Sequence, residues 1–138
     1  MSQLLDMFKN DNKNDTIISN IDFMGLNYKI NNNLIIIKYP KKLKHSDKNY
    51  IRNSRGIIVD LNTKKIINSS ICGAITYDKF KKNNNWNNVV IEECIDGTLI
   101  NLFFYKDSWR LSTKFCIDAN NSKFRSNDSF YKLFNDIV

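Results

Sequence analysis

Proline occurs once in the 138 residues, as Pro40, and glycine only four times. No Pro/Gly/Ser linker can be drawn and no internal repeat is visible, so the chain reads as one domain, or part of one, over residues 1–138. Histidine also occurs once, as His45. That excludes a His-rich site, and no metal-ligand set is expected. The cysteines are Cys72, Cys94 and Cys116, an odd set with no Cys-x-x-Cys pair. Their thiols are expected to be reduced, in a cytoplasmic setting. No stretch approaches the roughly eighteen apolar residues that span a bilayer, and no membrane association is expected. Met1, Ser2 and Gln3 bring no basic leader, so no cleaved targeting peptide is expected.

Acidic side chains are the scarcer kind: 14 Asp and Glu stand against 21 Lys and Arg, a formal charge of +7, with a pI near 9.3. This balance favours anionic partners such as RNA or a nucleotide. The one dense basic cluster is Lys38, Lys41, Lys42 and Lys44, with His45 beside it. This cluster, with Lys41, Lys42 and Lys44 at its centre, reads either as a solvated loop or as a patch that contacts nucleic-acid phosphates. Tyr28, Tyr39, Tyr50, Trp86 and Trp109 are available for base stacking. Hydrophobic content of 42% and charge of 25% are ordinary for a globular chain. At this length it can bury about two thirds of its unfolded surface. Heavy use of Asn, Ile and Lys suits an AT-rich genome, such as that of a large virus or a protist. Residues 31–33 and 83–85, all Asn, read as polar loops.

Local pattern gives an α+β reading. Residues 2–8 start a short amphipathic helix, ended by the polar residues that follow. Leu34, Ile35, Ile36 and Ile37 form a β-branched run of strand length inside residues 27–39, and Pro40 stops its pairing. Residues 56–60 and 65–68 flank Leu61, Asn62, Thr63 and Lys64 as a hairpin, and residues 71–77 are expected to extend the sheet. An apolar run from Val89 is expected to turn at Asp96 and Gly97, a dipeptide suited to a tight hairpin because both central residues need positive φ. Strands at 98–105 and 109–113, joined at Lys106, Asp107 and Ser108, would then complete an antiparallel meander. Glu92 and Glu93, adjacent on such a strand, would point to opposite faces, one core-side and paired. The closing helix is expected to be capped by Asn127 or Asp128. Phe130, Leu133, Phe134 and Ile137 make a stripe that would dock on the meander.

Several of these segments fall in a known order. Ser54-Arg55-Gly56-Ile57-Ile58 resembles an upstream arginine-glycine strand, and Tyr77-Asp78-Lys79-Phe80 a short lysine-phenylalanine motif. Cys94 to Leu99 resembles a central lysine-x-aspartate-glycine motif, and Ser112-Thr113-Lys114, Ile117-Asp118-Ala119 and Phe130 to Phe134 resemble the segment that follows it. Together they resemble covalent nucleotidyltransferases, the superfamily of ATP-dependent ligases and capping enzymes, and most closely the phage-type RNA ligases that repair broken tRNA. The match extends over most of the chain.

The resemblance implies the N-terminal half of an RNA ligase nucleotidyltransferase (ATP-grasp-like) domain: mostly antiparallel sheet with flanking helices, using ATP and Mg²⁺ and acting on RNA. In such an enzyme a lysine attacks the α-phosphate of ATP, releases pyrophosphate and holds AMP as a phosphoramidate. Cys94 stands at that lysine's position. Its side chain is shorter by several atoms, and even as a thiolate it would not reach the same phosphorus without backbone movement. A dead site, a thiol nucleophile and a chance alignment are the three readings of Cys94. Asp96 and Gly97 would hold the nucleophile and admit nucleotide closely, or serve only as turn residues. Arg55, Gly56, Lys79 and Lys114 would face ATP phosphate, a role suited to a planar, permanently charged guanidinium at Arg55; the bland reading of the lysines is surface charge. Phe115 replaces a residue usually small in the family. The family's later glutamate-glycine and lysine-rich motifs have no counterpart here, so adenylylation is expected to be lost, with the chain read as a truncated gene, a remnant or one piece of a split protein whose missing half a partner chain would supply. The rival expectation is a noncatalytic RNA-binding or regulatory module.

Overall fold

The computed structural model describes residues 6, 8, 13–43, 48–70, 75–83, 86–93, 96–123, 125 and 127–138. It is α+β, with a four-stranded antiparallel sheet in the order β1-β2-β3-β4 and a separate two-stranded ribbon, β5-β6. The strands are β1 (Asn27–Asn31), β2 (Leu34–Lys38), β3 (Arg55–Asp60), β4 (Ile66–Asn68), β5 (Ile100–Tyr105) and β6 (Ser108–Thr113). The helices are α1 (Asn14–Phe23), α2 (Asn49–Asn53), α3 (Tyr77–Asn83) and α4 (Phe130–Asn135). Among the described residues, no helix is long and apolar enough to cross a membrane.

β2 lies between β1 and β3 and is covered on both faces, which is why it reads as an unbroken apolar run. Ile35, Ile37, Ile57 and Val59 pack with Ile17 and Ile21 of α1 and with Phe8. Leu34, Ile36 and Ile58 turn to the other side and pack with Phe103 and Tyr105 of the ribbon and with Ile117. Alternate residues of one strand thus serve two cores, as the two-residue period of a strand requires. The molecule is layered as helix, sheet and ribbon.

Helix α1 is not anticipated by the sequence pattern. It buries Ile17 and Ile21, spaced i and i+4. It closes with Gly25 at φ 68°, where Leu26 N–H donates to Ile21 O and Gly25 N–H to Asp22 O. This is a Schellman motif, and glycine takes its left-handed position without strain. Of the leading segment, Asp6 and Phe8 are helical; most of it lies outside the described residues.

The 61–64 hairpin forms as expected. The Asp60 carboxylate accepts the N–H groups of Asn62 (2.8 Å) and Thr63 (3.3 Å) and so fixes the turn. The expected meander is corrected to a two-stranded ribbon. Residues 89–93 form no strand, Val90 and Ile91 are 78% and 88% exposed, and Glu92 and Glu93 are both exposed. Gly97 is not in the left-handed region that such a turn requires. The second expected turn does form, joining β5 and β6 at Lys106 and Asp107, with φ 48° and 60°, the geometry that matches the twist of paired strands. Tyr77 opens α3 rather than extending the sheet, while residues 71–74 lie outside the described set.

Helix α4 is capped by Ser129, one residue later than expected, whose Oγ accepts Lys132 N–H at 3.2 Å. It packs chiefly on the 3-10 turn Ala119–Asn121 rather than on the ribbon. Its stripe is only half-buried at Phe130, Leu133 and Phe134, and Ile137 is 86% exposed.

Candidate anion-binding site

β2 ends at Lys38, which pairs with Arg55 at the start of β3. The next residue, Gly56, has φ +80°, and a Cβ added there would lie 2.8 Å from Lys114 Cα and 3.1 Å from Lys114 O. Only glycine lets the chain beyond β6 lie directly against β3, because any side chain would collide with main chain. Lys114 is delivered by a tight turn: Thr113 N–H donates to Cys116 O at 3.0 Å, and Phe115 N–H donates to Thr113 Oγ1 at 3.2 Å. Thus Arg55, Gly56 and Lys114, distant in sequence, meet at one end of the molecule.

Phe115 sits in the same turn. Lys38 Nζ lies 4.6 Å and Lys114 Nζ 4.9 Å from its ring centroid, so one aromatic ring serves two cations. Burial lowers the Lys38 pKa from its ordinary value, repulsion from Lys29 lowers it further, and Cys116 offsets part of this. A negative ligand would reverse that penalty by favouring the charged ammonium.

The interlayer space turns polar toward this end. Asn101 and Ser112 face each other across the ribbon, and Asn101 Nδ2 and Ser112 Oγ are both buried without a hydrogen-bond partner. The Arg55 Nε is buried and unpartnered as well. Buried polar groups are nearly always satisfied, so a guanidinium with an orphaned, buried Nε is suited to an acceptor-rich ligand. Phosphate oxygens have that chemistry. Motif order singles out Arg55, Gly56, Ser112 and Lys114, and charge clustering singles out Lys38, but neither joins Lys38 to the motif residues or finds Asn101. Their role depends on strand register and on which layers stack, and neither is visible in local pattern.

Lys79 lies on α3, half-buried; Lys41 and Lys42 are exposed on the 3-10 turn Lys41–Leu43. Asp96 and Gly97 are exposed, and no atom approaches within 4 Å of a Cβ added at Gly97, so no close contact there requires glycine. Cys94, Lys44 and His45 lie outside the described residues. Among the described residues, no group of three or more His, Cys, Asp or Glu converges as a metal site. The cations and the orphaned Arg55 Nε have the chemistry that suits an anion such as a phosphate.

Comparison with protein-family models, curated proteins and solved structures finds no match to this chain.

Proposed function

We propose that the chain is an RNA ligase-like nucleotidyltransferase domain fragment, cytoplasmic, that has lost self-adenylylation and retains weak binding of ATP or RNA. The observation that carries this reading is the apposition of Gly56 and Lys114, with Arg55 and Lys38 alongside. Two segments that resemble phosphate-facing motifs, more than fifty residues apart, come together at Gly56 and Lys114, next to Arg55 with its orphaned Nε. Loss of the covalent step follows from the chemistry of Cys94, since a thiol on a short stem replaces the amine that forms a phosphoramidate.

Labelled ATP and Mg²⁺ incubated with the protein, followed by denaturing electrophoresis, tests the covalent half of the proposal; the expected result is an unlabelled band. Equilibrium titration of ATP tests the other half. Wild type is expected to bind weakly, and Arg55→Ala to bind less. Equal binding by both proteins removes the phosphate-facing role of Arg55. The +7 charge favours a second reading, a noncatalytic RNA-binding module that pairs with another chain. It predicts RNA binding that is indifferent to Arg55→Ala.

A further inference from the structure

At the opposite end of the strands, roughly 17–20 Å along a six-residue strand from the Arg55 end, a cavity of about 350 Å³ opens between the β1-β2 turn, the β5-β6 turn and α4. We propose that this cavity is a second site, one that receives the base of a nucleoside 5′-phosphate unit, free or within a single strand. The inference goes beyond the reading above and does not depend on the Arg55–Lys114 cluster.

Its lining supplies the three contacts that such a unit needs. Trp109 is 66% exposed and Tyr131 38%, and both border the cavity. Exposed aromatic rings of this kind are unfavourable in water and are the usual platforms for base stacking. The Trp109 ring is held edge-on by Phe104, with centroids 5.4 Å apart, so little ordering is needed on binding. Asn31, Asn32, Asn33 and Asn120 also line the cavity. Each amide carries both donors and an acceptor, the pattern that pairs with the edge of a base.

Charge selects the rest of the ligand. Lys106 Nζ and Arg110 Cζ lie 5.3 Å and 5.0 Å from the Tyr105 ring centroid, which fixes two cations at the cavity wall. The single acidic lining residue, Asp118, is engaged locally: its Oδ1 accepts Asn120 N–H at 2.9 Å. A cationic ligand is therefore disfavoured, and a purely apolar one would strand the amides without partners. A planar heterocycle joined to phosphate satisfies both wall types. The volume falls in the range of ordinary small-molecule sites.

The test uses the full chain with Trp86→Phe, so that Trp109 is the sole tryptophan and reports its own site. AMP is expected to quench Trp109 fluorescence saturably, while ribose 5-phosphate, which lacks the base, leaves it unchanged. A single-stranded adenosine hexamer bound far more tightly than AMP assigns the site to polynucleotide; equal affinity assigns it to free nucleotide. In the Trp86-containing protein, followed by the polarisation of labelled hexamer, Trp109→Ala should weaken binding by about tenfold and Trp109→Phe by less. Arg55→Ala should leave the Trp109 quench intact, which separates this site from the proposed ATP site. The proposal is overturned if AMP and hexamer give no saturable quench, if ribose 5-phosphate quenches equally, or if Trp109→Ala binds hexamer as wild type does while retaining its circular dichroism.

Discussion

The Tyr105 hydroxyl donates to Asp60 Oδ2 at 2.9 Å, a buried bond that ties the ribbon to the end of β3. Tyr105→Phe keeps the ring and removes only this donor. It is expected to destabilise the fold by about 1–3 kcal/mol, the usual cost where the acceptor is charged and buried. Urea denaturation should show a lower midpoint with an unchanged slope.

Asp60 also gives a pH dependence. Burial acts to raise its pKa, but the N–H of Asn62, the Tyr105 hydroxyl, the N–H of Thr63 and the charge of Lys106 together hold it below the ordinary 3.8. A depressed carboxylate contributes stability that is fully present above the unfolded value and is lost as pH falls through the folded one. Asp60→Asn should therefore be less stable than wild type at neutral pH, with the gap narrowing in acid below 3.8. A gap that stays constant down to strong acid would contradict this account.

Gly56→Ala should cost about 1–3 kcal/mol, because φ +80° is strained for alanine and the new Cβ would meet Lys114 main chain. Alanine at Gly97, which meets nothing within 4 Å and lacks positive φ, serves as the control. Thermal melts of the two variants should separate clearly, and any ATP binding should fall in Gly56→Ala alone.

Restoring a lysine at the motif position should not restore ligation. In Cys94→Lys the amine returns, but the glutamate-glycine and lysine-rich motifs of the family the chain resembles have no counterpart in these residues, and transition-state charge left unstabilised costs orders of magnitude. Sealing of nicked RNA by Cys94→Lys at a rate comparable to a working ligase would show this expectation to be mistaken.

RNA binding is expected to be weak and salt-dependent. Removing Lys41, Lys42 and Lys44 together should shallow the slope of log affinity against log salt by about 0.7–0.9 for each phosphate that these lysines neutralise in the wild type. An unchanged slope would mark them as solvated surface.

Much of the fold is legible from short-range pattern. The isoleucine run of β2 and the hairpin around residues 61–64 follow from strand period and turn chemistry, and both form. Helix α1 is hidden because its buried face is only Ile17 and Ile21, while the neighbouring apolar residues Ile18 and Phe23 fall off that face and blur the helical period. The apolar residues at 89–91 mislead in the opposite sense. A strand needs a partner edge, and local sequence does not say whether one is present. At the candidate site, motif order points to Arg55, Gly56 and Lys114. That Lys38 shares their end of the sheet is a fact of pairing register, decided by contacts between strands.

The ribbon is anchored twice, by Tyr105 on Asp60 at one end and by Lys114 main chain against Gly56 at the other. A beam held at both ends has its spacing set at both ends, so the gap between the layers is defined by these two contacts. One anchor is a side chain and the other is backbone, and they tolerate change differently. Drift in the surrounding lysines would erase charge while leaving the gap's shape intact. A single substitution at Gly56 would unclamp one end while leaving every charge in place.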